Sequence, residues 1–213
     1  KKTYAVLALI AIAILVAYAL LPDRSFKEDL LPVPEGVTLD GYDDRSDGGA
    51  SEASLSVNGG EAEFSCVLGA DSVKFAWCGL LWNLDPQGKK DYRNWTFVDT
   101  VFVDVEARGI SEVIVKVWTF DPDVTDIEKP ATFKLLLKEV PVKEGRQRVA
   151  VPMEEFYTPD FWYETAQVSM EYNKRHQEKV ARVEIVPGWN HPRGKKFTLK
   201  LYEVSFWGIS NLY

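Results

Sequence analysis

The sequence predicts an all-β fold, an antiparallel two-sheet jelly-roll sandwich, preceded by one N-terminal transmembrane α-helix. Residues 4–21 are an apolar run without charge, Gly or Pro. Beyond it, about nine short stretches suited to strands are separated by turns built from Gly, Pro and Asp. Aromatic residues are abundant, with seven Trp, nine Tyr and eleven Phe against two Met, and such side chains suit a pleated, half-buried surface.

The elements follow in chain order. At ~1.5 Å per residue the roughly 18 residues of the apolar run give a helix of about 27 Å, close to the ~30 Å of a bilayer core. Residues 1–21 are therefore expected to be an anchor. Lys1 and Lys2 hold its start in the cytoplasm, so the remainder lies outside. This places the chain in a bacterial inner membrane as a single-pass protein with its domain in the periplasm. A cleaved secretory signal is the competing reading, since Ala17-Tyr18-Ala19 matches a small-residue cleavage site; both readings send the domain to the same compartment. Residues 22–37, Pro-bearing and mixed in charge, read as a spacer, and 38–213 as one jelly-roll domain.

Within that domain, strands are expected at 54–57 and 62–67, on either side of the turn Asn58-Gly59-Gly60. A third, at 75–84, reads as the hairpin partner of 62–67 around Asp71-Ser72. In an antiparallel pair, facing residue numbers have a constant sum, so this register sets Cys66 opposite Cys78. A cross-strand disulfide follows in an oxidising compartment; two buried free thiols are the alternative. Further strands are expected at 96–106, 112–120, 132–137, 147–152, 181–186 and 195–206. Val113, Val115 and Val117 alternate with Glu112 and Lys116, and Phe197, Leu199 and Leu201 with Thr198 and Lys200. The apolar parity then changes between Leu201 and Val204, which predicts a bulge. Residues 156–163 form an aromatic loop, followed by one surface helix or irregular loop through Met170 and His176.

A formal charge of −7 repels phosphate backbones, so nucleic acid is not an expected partner. The chain carries no nucleophile elbow, phosphate-binding loop, dinucleotide fingerprint or HExxH motif, and neither His176 nor His191 has a ligand suitably spaced for zinc. Glu154, Glu155, Glu164 and Glu171 could include a glycosidase pair, but in so acidic a chain they read as solvated surface. A binding protein rather than an enzyme is expected. Asp40, Asp43, Asp44 and Asp47 lie in an Asp- and Gly-rich loop, where clustered carboxylates either hold calcium or cap local turns. No other cofactor is expected.

The tryptophans are the most suggestive group. Those on expected strands, Trp77, Trp82 and Trp118, read as core. Trp162 beside Pro159 and Trp189 beside Pro187-Gly188 read as loop residues whose indole faces could receive the apolar faces of sugars. A recognition surface built on Trp162, Tyr163 and Trp189 is one reading of the aromatic loop. A loop folded down to cap the core is the other.

The order Asp43-Asp44-Arg45-Ser46-Asp47-Gly48-Gly49-Ala50-Ser51, Phe64-Ser65-Cys66, Trp77-Cys78-Gly79-Leu80, Val151-Pro152-Met153-Glu154-Glu155-Phe156 and Phe206-Trp207-Gly208-Ile209-Ser210 resembles galactose-binding-like jelly rolls. It is similar to the complex-I intermediate-associated and carbohydrate-binding-module-like group. More narrowly, it looks like the extracytoplasmic sensory regions that follow a membrane helix in some proteobacterial diguanylate cyclases and regulators. The resemblance covers residues 39–213 and implies a galactose-binding-like jelly roll whose motifs mainly define the fold. It further implies a membrane-anchored sensory module for a carbohydrate or small-molecule ligand. The alternative is a structural or accessory subunit that docks onto a protein partner or a second copy of itself.

Overall fold

The computed structural model describes residues 10–12, 25–70 and 76–209, in which eleven strands form two packed antiparallel sheets. One sheet has the order β3-β4-β11-β6-β9, with β1 also paired to β11; the other has the order β2-β5-β10-β7-β8. The strands are β1 (Ser25–Leu31), β2 (Thr38–Asp43), β3 (Glu52–Asn58), β4 (Glu61–Val67), β5 (Cys78–Asn83) and β6 (Val98–Arg108), then β7 (Glu112–Thr119), β8 (Lys134–Pro141), β9 (Gly145–Pro152), β10 (Val180–Pro187) and β11 (Lys196–Ile209). The expected two-sheet sandwich is what forms.

The 14-residue β11 organises the larger sheet. One of its edges pairs first with β4, through 196–201, and then with β1, through 204–209. Against β6 its register slips between Leu201 and Glu203, which is the expected bulge. The slip returns Val204 and Phe206 to the core beside Leu199 and Leu201. Without it these side chains would point to solvent, because the side-chain period of a strand is two.

Two strands correct the sequence reading. Residues 25–31, expected within a spacer, form β1. Phe26, Glu28 and Leu30 alternate inward, and the acidic middle member hides the apolar stripe. Glu28 is satisfied where it lies: it accepts hydrogen bonds from Arg93 Nε and Trp95 Nε1, while Trp82 Nε1 donates across the sandwich to the Leu30 carbonyl. Likewise Thr38–Asp43, expected to be loop from Leu39 onward, is β2. Its Gly41 passes so close to the other sheet that an added Cβ would sit 3.0 Å from Leu55 Cβ.

The hairpin of β4 with β5 does not form. β4 pairs with β3 and β11, and β5 pairs with β2 and β10 in the opposite sheet. Cys66 and Cys78 are nonetheless bonded, so their disulfide ties the two sheets together instead of spanning one ladder. The Asp71-Ser72 turn lies outside the described residues.

The core between the sheets includes Phe64, Trp82, Trp95 and Phe206, all fully buried. A second, smaller cluster lies on the outer face of the five-stranded sheet, where helix α1 (Asp160–Ala166) packs against Ile114, Leu135, Leu137 and Val186. The aromatic stretch was expected as loop up to Tyr163 with any helix after it; instead the helix starts at Asp160, directly after Pro159, and ends at Ala166, with Gln167 left-handed beyond it. The expected membrane helix lies outside the described residues except for Ile10–Ile12, which are helical. Among the described residues no helix is long and apolar enough to cross a membrane.

Candidate functional site

Strand alternation divides the five-stranded sheet into two faces. Leu80, Trp82, Val115, Val117, Val183 and Ile185 point into the core. Tyr42, Leu81, Lys116, Trp118, Glu184 and Val186 line the outer face, and α1 covers only part of it. What stays uncovered is a groove of about 820 Å³, walled by Trp77, Phe161 and Trp189. Its size and largely apolar lining, with aromatic walls, suit a small organic ligand.

The floor carries a small polar constellation. Glu184, buried on β10, accepts a hydrogen bond from the Tyr42 hydroxyl at 3.2 Å and lies 3.4 Å from Lys116 Nζ, its cross-strand partner on β7. Burial, together with the Glu184 charge and hydrogen bond, raises the Tyr42 pKa well above the usual phenol range. Tyr42 can lie across β5 because residue 79 is Gly: a Cβ there would meet Val186 Cγ1 at 2.7 Å and the Tyr42 hydroxyl at 2.9 Å.

Each wall is held by specific contacts. The Trp77 amide donates to Asp44 Oδ2 at 3.0 Å, and the adjacent Cys78 is bonded to β4. Asp44 is fully buried and also accepts from the Ser51 amide and hydroxyl at 2.8 and 2.7 Å. The two glycines between them have separate reasons. Gly48 has φ +81, and a Cβ on Gly49 would sit 2.1 Å from the Asp44 carboxyl carbon. On the other wall the Trp189 indole N–H donates to Glu139 Oε1 at 2.9 Å, and the Tyr157 hydroxyl reaches the same oxygen at 2.6 Å. Burial acts to raise the Glu139 pKa, but the two hydrogen bonds outweigh it and leave the carboxyl below its ordinary range. Phe161 meets Trp189 edge to face at 6.2 Å.

The sequence-based candidates therefore separate. Trp189, 54 % exposed, stands in the groove wall. Trp162 does not: it is 1 % exposed, donates to the Phe133 carbonyl at 2.6 Å, and packs under Lys134 Nζ at 3.9 Å. A seven-residue helix turns that indole into the sheet and presents its neighbour Phe161 to the groove. Tyr163 belongs to the same packing cluster, edge to face with Trp162 at 5.3 Å. Of the four aspartates considered for calcium, Asp43 and Asp44 are engaged by backbone amides, Ser51 and Arg45, while Asp40 and Asp47 are exposed. Among the described residues no group of three or more ligating side chains is placed to hold a metal. The loop's visible work is turn formation and the placement of Trp77.

Sequence reasoning missed Tyr42, Trp77 and Trp118 by assigning strand tryptophans to the core and reading Tyr42 as loop. The signal for Trp118 was present, since it shares the parity of Lys116 and opposes that of Val115 and Val117.

Solved structures were compared with this architecture. The family 11 carbohydrate-binding module of the cellulosomal cellulase Lic26A-Cel5E of Clostridium thermocellum superposes with a TM-score of 0.56 at 11 % identity, covering 88 % of this chain and 98 % of that one. This domain has the fold of carbohydrate-binding modules. The family 11 module from Clostridium thermocellum in complex with a β-1,3-1,4-mixed-linked tetrasaccharide gives 0.54 at 11 % identity, covering 87 % of this chain and 98 % of that one. A quarter of the agarase AgWH50C also matches, with a TM-score of 0.50 at 10 % identity over 87 % of this chain. No family model and no curated protein sequence matches the chain. At these identities the likeness concerns the fold, and the ligand has to be argued from the groove itself.

Proposed function

We propose that the domain binds a carbohydrate in the groove on the outer face of its five-stranded sheet. The observation that carries this reading is the combination of Trp77, Phe161 and Trp189 on the walls with Tyr42, Lys116 and Glu184 on the floor. Aromatic faces stack on the apolar C–H faces of sugar rings, while the floor's donors and acceptors address hydroxyl groups. Glu184 is the one carboxylate among the groove's described lining residues, which favours holding a sugar over the paired-carboxylate chemistry of glycoside hydrolysis. The fold shared with carbohydrate-binding modules supports the same choice. The disulfide suits an oxidising compartment, and the apolar run at 4–21 supports a membrane-anchored domain outside the cytoplasm.

Titration of the full chain in mild detergent with a panel of oligosaccharides, followed by calorimetry, tests the reading. Trp189→Ala and Trp77→Ala should each weaken binding by about 30-fold or more, since truncating an aromatic anchor costs ~2 kcal/mol or more. The Trp189→Ala melting temperature should stay close to that of the parent. Unchanged affinity in both variants, or no binding to any member of the panel, would contradict it.

A further inference from the structure

The groove adjoins a second cavity of about 250 Å³, and Leu81 lines both. Arg182 of β10 lines this second cavity, directly across the ladder from Trp118 of β7. Its guanidinium carbon lies 4.7 Å from the Phe133 ring centre and 5.8 Å from that of Trp118. Ring faces therefore hold the cation. Among the described residues, however, its N–H groups have no hydrogen-bond acceptor and no ion-pair partner, although a guanidinium presents five donors in its plane.

The nearby acids are already engaged. Glu184, whose charge acts on Arg182, takes Lys116 and the Tyr42 hydroxyl. Asp85, at the rim of the same cavity, accepts from the Lys89 and Lys90 amides at 2.9 and 2.7 Å. The Trp118 indole N–H is buried and, among the described residues, has no acceptor either. The Arg182 guanidinium of this cavity and the Trp118 indole N–H of the adjoining groove are thus donors without acceptors among the described residues, within a chain whose formal charge is −7. A half-buried charge without a counter-charge is costly unless a ligand supplies one.

We infer that this second cavity is an oxyanion subsite of the same groove, in which Arg182 receives an acidic substituent of the bound glycan, a uronic carboxylate or a sulfate ester. The inference rests on the carbohydrate-binding reading and narrows it to acidic glycans. Guanidinium suits either substituent because its parallel N–H pair matches two oxygens at once.

The test titrates the full chain in mild detergent with three sets of oligosaccharides of equal length: neutral β-glucan, oligouronate and sulfated galactan. One acidic set should bind roughly 10- to 100-fold tighter than the neutral set, as expected for a charge-assisted hydrogen-bonded pair, and which set it is identifies the substituent. That advantage should fall with added salt in the parent protein, disappear in Arg182→Gln, and persist in part in Arg182→Lys, which keeps the charge without the fork. Equal affinity for neutral and acidic sets, or an acidic preference unchanged by Arg182→Gln, overturns the subsite and leaves the carbohydrate reading standing. Absence of binding to all three sets overturns both.

Discussion

Two neighbouring residues on α1 show how one turn of helix divides packing from the groove wall. Phe161 is 48 % exposed on the groove wall, whereas Trp162 is buried with its N–H on the Phe133 carbonyl. Trp162→Ala should lower stability by about 3–5 kcal/mol, because it removes a large buried side chain and orphans an acceptor. Chemical denaturation measures this; a loss under about 1 kcal/mol would mean that the indole is not packed as described. Above the same ring sits Lys134 Nζ, also within 4.9 Å of Tyr163 and 5.1 Å of Tyr172. Burial lowers its pKa to about 8, with Asp121 opposing and Arg175 reinforcing the shift. The sign follows from proton binding. Between about pH 8 and the ordinary lysine value near 10.4, the unfolded chain holds a proton that the folded chain has lost, so stability rises with pH across that window. Stability measured from pH 7.5 to 10 should show that rise, on the order of 2 kcal/mol since the ring faces offset part of the burial penalty, and Lys134→Met should flatten it.

At the level of elements, the disulfide is the crosslink between the sheets, and it holds Trp77 in the wall. The closed loop of 12 residues gives about 3 kcal/mol by chain entropy. Replacing both cysteines by Ala should therefore lower the denaturation midpoint and also weaken oligosaccharide binding. Lost stability with unchanged affinity would show that the Asp44 contact alone fixes Trp77. The pairing of Cys66 with Cys78 was legible, but the hairpin that suggested it was not the cause: residue spacing shows that two side chains can meet and is silent on which sheet each strand joins. Strands with clean alternation, such as Val113-Val115-Val117, were legible for the same reason that they form. β1 and β2 were not, because Glu28 occupies an inward position and Asp40-Gly41 breaks the pattern of β2, and only the tertiary partners Arg93, Trp95, Leu55 and Phe64 explain those choices. Trp189 was readable from its place after Pro187-Gly188, whereas the burial of Trp162 depends on a carbonyl supplied by a distant segment.

Across the whole molecule the two outer faces differ in how they use their charges. On the six-stranded sheet, Arg146 pairs with Asp104 and Arg148 with Glu203, each guanidinium also lying over a ring, Tyr202 at 3.7 Å and Phe102 at 4.1 Å. Those cations have partners within the face. Trp207, 36 % exposed there, spends its N–H on the Ser205 hydroxyl. The five-stranded sheet instead leaves a groove, uncovered aromatic walls and, among the described residues, no hydrogen-bonded partner for Arg182. The proposed function assigns recognition to the five-stranded face, and the seven tryptophans lie on and between both faces, so their indole N–H signals test that assignment. The most direct measurement is a titration of nitrogen-15-labelled protein with a bound oligosaccharide, followed through those resonances. Trp77, Trp118 and Trp189 should shift progressively and saturate together, while Trp82, Trp95, Trp162 and Trp207 stay in place. Shifts centred on Trp207, or shifts that spare both Trp77 and Trp189, would contradict a binding site in this groove.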